Sequence, residues 1–212
     1  MTNEEVKKVV GDTPHMTIEQ ANEITKFIED NNSKNILELG FAHGVSTTYM
    51  AAALKRINND GRITTIDTVN AKKRNPNIET FLESIDELAR VNIYYEPTSY
   101  LWRLMKFLEE DATPRFDLCY LDGAHSWFVD GFAFFLVDKL LKSGGWIIFD
   151  DMNWTYEKSP TLKNTEWVKN MPEDEKTEPQ VKKIFDLLVK THPNYHNFKV
   201  ENGWGYAQKK IN

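Results

Sequence analysis

The apolar positions of the chain switch repeatedly between helical and strand spacing. Behind Thr17 and Gln20, a pair that closes a capping box, Ile18, Ala21, Ile24, Phe27 and Ile28 recur at helical intervals and predict a helix over about 17–31. Ile36-Leu37-Glu38-Leu39 is too short a run for a helix and stops at Gly40, which predicts a strand. Helical spacing returns from Val45 to Asn58 through Tyr49, Met50, Ala53, Leu54 and Ile57, and Asn59-Asp60-Gly61 closes it before a strand from Arg62 to Asp67. The alternation then continues with a helix at about 78–90, a strand at 91–95, a helix at 98–110, a strand at 116–121, a helix at about 127–142 and a strand at 145–150. Runs such as Ile147-Ile148-Phe149 are apolar on both faces, as parallel strands covered by helices must be. Residues 152–177 break the rhythm: they are polar, contain Pro160 and Pro172, and carry Trp154, Tyr156 and Trp167, so they read as an inserted lid. A last helix near 179–190 leads to Phe198-Lys199-Val200, then Asn202-Gly203, then Trp204 to Gln208, a hairpin signature. The expected fold is a single α/β domain over 1–212, doubly wound, with an N-terminal helical cap at about 1–33. Its sheet is mostly parallel and seven-stranded, ends in an antiparallel hairpin and carries helices on both faces.

Charge and composition narrow the partners. Lys+Arg 26 against Asp+Glu 32 gives a net charge of -6, a field that repels polyanions, so nucleic acid is not an expected partner. The single Cys119 rules out an internal disulfide and, inside a buried strand, reads as a small core residue. No apolar run reaches the roughly 18 residues of a membrane span, and MTNEEVKKVVGDTP lacks the apolar stretch of a secretory signal. A cytoplasmic protein without a membrane partner is expected. The oligomeric state stays open, a homodimer being compatible with all of this. The aromatic residues Trp127, Phe128, Trp154, Tyr156 and Trp167 are candidate walls for a small-molecule pocket.

In an open α/β sheet ligands bind beyond the carboxyl ends of the strands, and here those ends are acidic: Glu38, Asp67, Glu96, Asp122 and the pair Asp150-Asp151. The first strand opens into Glu38-Leu-Gly40-Phe-Ala-His-Gly44-Val-Ser46. Gly40 and Gly44 let the backbone turn sharply and approach a ligand, while Ser46 and Thr47 offer hydroxyls and N–H groups at a helix start. The spacing is not G-x-G-x-x-G, because Ala42 replaces the central glycine, which weighs against a nucleotide-dependent oxidoreductase. Asp67 ends the second strand, where a carboxylate can accept both hydroxyls of a ribose. Asp122, Asp150 and Asp151 end adjacent strands; three clustered carboxylates repel unless a cation neutralises them, and oxygen ligands select a hard divalent ion such as Mg²⁺.

These residues resemble class I S-adenosylmethionine-dependent methyltransferases, in the form of the cation-dependent small-molecule O-methyltransferases of catechol and of sugar or antibiotic type. The resemblance runs from about residue 15 to the C-terminal hairpin and implies a Rossmann-like fold. It matches Gly40 and Gly44 to the loop that approaches the methionine part of the cofactor, Glu38 to its supporting carboxylate, and Asp67 to the ribose ligand. Thr98 and Ser99 fall where the family contacts adenine, with Glu96 in place of the usual small glycine. Asp122, Asp150 and Asp151 match the metal ligands. His125 lies three residues after Asp122, where catechol-type members carry a catalytic lysine; sugar-type members carry an acid two residues after it, here Ala124. Asp122 and His125 are therefore the catalytic candidates, His125 as a general base because its unperturbed pKa of about 6.5 suits proton removal near neutrality. His43, inside the glycine loop, is a possible lining residue of the cofactor site. The implied activity is transfer of a methyl group to a hydroxyl of a small sugar, polyketide or phenolic acceptor. A non-catalytic module that binds S-adenosylmethionine stands as the other alternative.

Overall fold

Two capping boxes organise the start of the chain. In the computed structural model, which describes residues 1–57 and 60–211, Thr2 and Glu5 exchange hydrogen bonds and open α1 (Asn3–Val10), just as Thr17 and Gln20 open α2 (Ile18–Asp30). Seven strands follow: β1 (Asn35–Leu39), β2 (Arg62–Thr68), β3 (Val91–Glu96), β4 (Phe116–Leu121), β5 (Leu141–Phe149), β6 (Tyr195–Glu201) and β7 (Trp204–Lys209). Between them lie α3 (Val45–Arg56), α4 (Ile78–Ser84), α5 (Tyr100–Glu110) and α6 (Trp127–Leu140). The expected turn at Asn58 and Asn59 lies outside the described residues.

The strands pair in the order β3-β2-β1-β4-β5-β7-β6. All neighbours from β3 to β5 are parallel, and β7 runs antiparallel to both β5 and β6. Asn202 and Gly203 hold φ values of 51° and 86°, the pair of positive angles that a two-residue hairpin turn demands. Strand alternation splits the core. Ile36, Leu118, Tyr120 and Ile148 face one apolar layer with α2, α3 and α4, while Leu37, Leu39, Cys119, Leu121, Ile147 and Phe149 face the other with α5 and α6. The chain reverses direction across the sheet between β1 and β4, so the crevice outside their carboxyl ends is where a ligand fits.

Several expected boundaries shift, and the helix expected at about 78–90 ends at Ser84. β5 begins at Leu141, earlier than expected, because α6 ends at Leu140 and Gly144 takes a φ of 78° inside the strand. The segment 152–177 carries two short helices, α7 (Glu166–Lys169) and α8 (Glu173–Thr177), and it buries Met152, Tyr156 and Val168. The last helix is α9 (Gln180–Ile184), continued by a π turn over Phe185–Val189. Among the described residues no helix is long and apolar enough to cross a membrane.

Candidate active site

The turn from β1 into α3 is pinned from inside. Glu38 is fully buried and accepts hydrogen bonds from the hydroxyls of Ser46 at 2.5 Å, Thr47 at 2.5 Å and Thr65 at 2.6 Å. Burial outweighs these donors and pushes its carboxyl up to about 7. Glu38 therefore supports the loop and faces away from any ligand. Ser46 and Thr47, expected to offer hydroxyls and N–H groups to a ligand, give their hydroxyl protons to Glu38.

Gly40 has a φ of 88°, and a Cβ there would stand 1.9 Å from the backbone oxygen of Asp122. Gly44, at φ 87°, would place a Cβ 2.5 Å from Ile78. The space these glycines leave is filled by protein backbone and by α4, so their absence of side chain serves the close meeting of β1 and β4 loops. Asp67 Oδ2 accepts the N–H groups of Phe41 at 3.0 Å and Ala42 at 2.8 Å, and Oδ1 accepts that of Thr68 at 2.5 Å. The carboxylate thus holds the glycine loop as well as standing at its mouth, with about one of its four lone-pair positions left over.

One cavity of about 400 Å³ gathers most of the expected cofactor residues. Gly40, Ser46, Asp67, Thr98, Ser99 and Asp122 line it. Ser99 also caps α5 through the N–H of Leu101 at 3.2 Å. Glu96 is buried and takes Arg103 in an ion pair at 2.6 Å, which removes it from the cavity wall. His43 Nδ1 donates to the carbonyl of Pro76, 2.7 Å away, and its ring stacks on His15 at 5.9 Å; it is His15, at φ 88°, that lines the cavity.

Above the ends of β4 and β5 the charged groups converge. His125 Nε2 lies 3.3 Å from Asp122 Oδ1 and 3.2 Å from Asp151 Oδ2. Asp122, His125 and Asp151 each offer one ligand atom, all within 4.8 Å of one another. Asp150 stands apart from this group. It is buried, accepts the Tyr120 hydroxyl and, at 2.6 Å, the N–H of Asp151, and burial together with its acidic neighbours pushes it up to about 8. Of the expected trio Asp122, Asp150 and Asp151, the first and last lie with His125 in one group of close ligand atoms, and Asp150 is outside that group. His125 and Asp151 take φ values of 54° and 55°, and these left-handed turns aim the imidazole between the two carboxylates.

That position changes the chemistry of His125. Burial disfavours its cation, but the hydrogen bonds and charges of Asp122 and Asp151 prevail and lift it to about 10. A base at its ordinary pKa was expected; the ring instead holds its proton at neutrality. Trp154 covers it at a centroid distance of 4.9 Å.

Sequence reasoning passed over the support beneath this loop. Tyr100 donates its hydroxyl to the fully buried Asp130, which also accepts the N–H of Ser126 at 3.0 Å. The same Tyr100 oxygen accepts the Ala124 N–H at 3.2 Å and leaves no room for a Cβ on Gly123. The signal was present, since Asp130 is the only charge in the apolar run from Trp127 to Val137.

A family model described as a methyltransferase domain matches residues 37–152, which contain every residue of the glycine loop and the charged cluster. No curated protein sequence matches the chain at a significant level. Among solved structures the chain is similar to an O-methyltransferase from Bacillus cereus in complex with SAH, at 22% identity and a TM-score of 0.68, covering 98% of this chain and 90% of that one. It is also similar to the O-methyltransferase TomG from Streptomyces achromogenes in complex with SAM, at 16% identity and a TM-score of 0.65, covering 98% and 89%. A third likeness, with the SAH-bound methyltransferase PaMTH1 of Podospora anserina, has 17% identity and a TM-score of 0.66 and covers 98% and 86%. With the family model spanning more than half of its length, the chain belongs to the methyltransferase-domain family.

Proposed function

We propose that the protein transfers a methyl group from S-adenosylmethionine to a hydroxyl of a small molecule, a sugar, polyketide or phenol, with a divalent cation, Mg²⁺ in the first instance, assisting. One observation carries this reading: the glycine loop, Asp67, Asp122 and His125 line a single cavity at the switch point of the sheet, with Asp151 against His125 behind them. The loop after β1 and the Asp67 carboxylate would hold the methionine and ribose parts, and Thr98 and Ser99 the adenine. Methyl transfer from a sulfonium needs the acceptor oxygen aligned with the methyl and made more negative.

The donor set fits a divalent cation. Two carboxylate oxygens and one imidazole nitrogen lie close enough to share one ion, and the two carboxylates favour positive charge at that point, which supports the reading. Asp122, Asp151 and His125 would hold it, and the bound cation supplies a Lewis acid that orients the acceptor oxygen and lowers its pKa. His125 Nε2 either ligates that cation or, as neutral imidazole, accepts the hydroxyl proton with Asp122 and Asp151 stabilising the imidazolium; one lone pair serves only one of these roles. Trp154 shields this proton position from water.

Cofactor use separates this reading from an oxidoreductase on the same fold. In calorimetry, S-adenosylhomocysteine should bind the chain and NAD should not. Asp67→Ala should weaken S-adenosylhomocysteine at least about tenfold, because a charge-assisted hydrogen bond to the ribose is lost along with the anchor of the loop. Unchanged affinity in a folded variant would place the ribose elsewhere. Turnover distinguishes the enzyme from a module that only binds the cofactor.

A further inference from the structure

A second and larger cavity, of about 750 Å³, lies between the first turn of α6 and the segment carrying α7 to α9. Its apolar wall is aromatic, formed by Trp127, Phe128, Tyr156 and Trp167. Phe128 and Trp167 are 67% and 53% exposed, a large aromatic area left open to solvent. The wall reaches the charged cluster by ring contacts: Trp167 meets Tyr156 at 5.0 Å, Tyr156 meets Trp154 at 4.7 Å, and Trp154 lies over His125. Gln180 fixes the two sides to each other, accepting the Trp127 N–H at 2.6 Å and donating to the Glu175 carbonyl at 2.8 Å.

The polar lining has one dominant sign. Glu166, Asp174, Glu175 and Glu178 face the cavity against the single cation Lys183. Lys183 is taken by Glu178 at 3.1 Å, and Glu166 pairs with Lys169 at 2.9 Å. Among the described residues no salt bridge takes Asp174 or Glu175, so their negative charge is uncompensated at the cavity lining. Aromatic faces attract cations through their quadrupole, and nearby carboxylates add to that attraction. The same carboxylates oppose an anion. The volume lies within the range of about 300–1,000 Å³ typical of small-ligand sites.

We infer that this cavity binds an organic cation: an apolar ring body carrying an amine or a quaternary ammonium. Identifying that molecule as the methyl acceptor rests on the transferase reading above, whereas its binding does not.

The test is calorimetry on the full chain at low salt and about pH 8 with three probes that share a bicyclic aromatic body: N-methylquinolinium, quinoline, which is neutral there, and naphthalene-2-sulfonate. The cation should bind about tenfold more tightly than quinoline, and the sulfonate more weakly than either. D174N combined with E175Q should reduce the cation to the affinity of quinoline, and W167A should weaken both. These positions are exposed, and circular dichroism checks that the variants are folded. A sulfonate that binds as well as the cation, or a cation indifferent to these substitutions, would overturn the inference. A parallel S-adenosylhomocysteine titration keeps the two readings apart: cation binding without cofactor binding refutes the transferase alone, and cofactor binding without cation binding refutes this site alone.

Discussion

Gly40→Ala should destabilise the protein by about 3 kcal/mol or more, combining roughly 1–2 kcal/mol for a side chain in the left-handed region with about 1–3 kcal/mol for overpacking. The overlap cannot be relieved locally. The new Cβ would stand 1.9 Å from the Asp122 carbonyl oxygen, a backbone atom, and both chains are fixed there. The Gly40 N–H donates to the Ile66 carbonyl at 2.9 Å, and the Asp122 N–H donates to the Leu39 carbonyl at 2.9 Å. At this chain length such a loss lowers Tm by roughly 6–12 °C. Gly203→Ala is the matched control, because Gly203 has φ 86° but nothing within 4 Å of its Cβ position. It should cost only the left-handed term, about 1–2 kcal/mol. Equal Tm values for the two variants would show that the loop and β4 are not pressed together as described.

Asp122→Asn combined with Asp151→Asn should reduce methyl transfer about 10³-fold, the scale of the several kcal/mol that a Lewis acid contributes to a transition state. Mn²⁺ affinity, followed by electron paramagnetic resonance, should fall with it, while S-adenosylhomocysteine affinity stays within about threefold, since a single hydrogen-bond change at the cavity edge is worth little more. The pH dependence has a definite sign. His125 is protonated below about 10 and must be neutral to ligate, so cation binding releases a proton. Mn²⁺ affinity of the unsubstituted protein should therefore rise with pH, by up to tenfold per unit, and level off only towards alkaline pH. A pH-independent affinity between 6 and 9 would remove His125 from the ligand set. Full turnover after chelator treatment would remove the cation from the mechanism.

The parts of the site that follow from topology were legible in the residues. A parallel strand buried on both faces reads as Ile36-Leu37-Glu38-Leu39, and its carboxyl end is marked by Gly40; Asp67 and Asp122 follow in the same way from β2 and β4. The hairpin was legible because Asn202-Gly203 suits few other conformations. What spacing cannot convey is where a side chain turns after the strand has ended. Asp150 and Asp151 are equivalent in sequence, yet the first is drawn inward by Tyr120 and the second turns outward on a left-handed residue. Likewise the role of His125 depends on two carboxylates from different strand ends, which fix its charge. α1 escaped notice as a separate helix although Thr2 and Glu5 spell the same box as Thr17 and Gln20, because only Val6 and Val10 of its eight residues are buried. The short helices α7 and α8 give no periodic signal at four and five residues.

The central claim is that cofactor and charged cluster share one cavity, and a crystal structure of the chain soaked with S-adenosylhomocysteine tests it most directly. The account predicts the ribose on Asp67, the amino-acid end along the loop from Gly40 to Ser46, and the sulfur directed towards Asp122 and His125. Cofactor density in another cavity, or a dinucleotide accepted in this one while S-adenosylhomocysteine is refused, would contradict it.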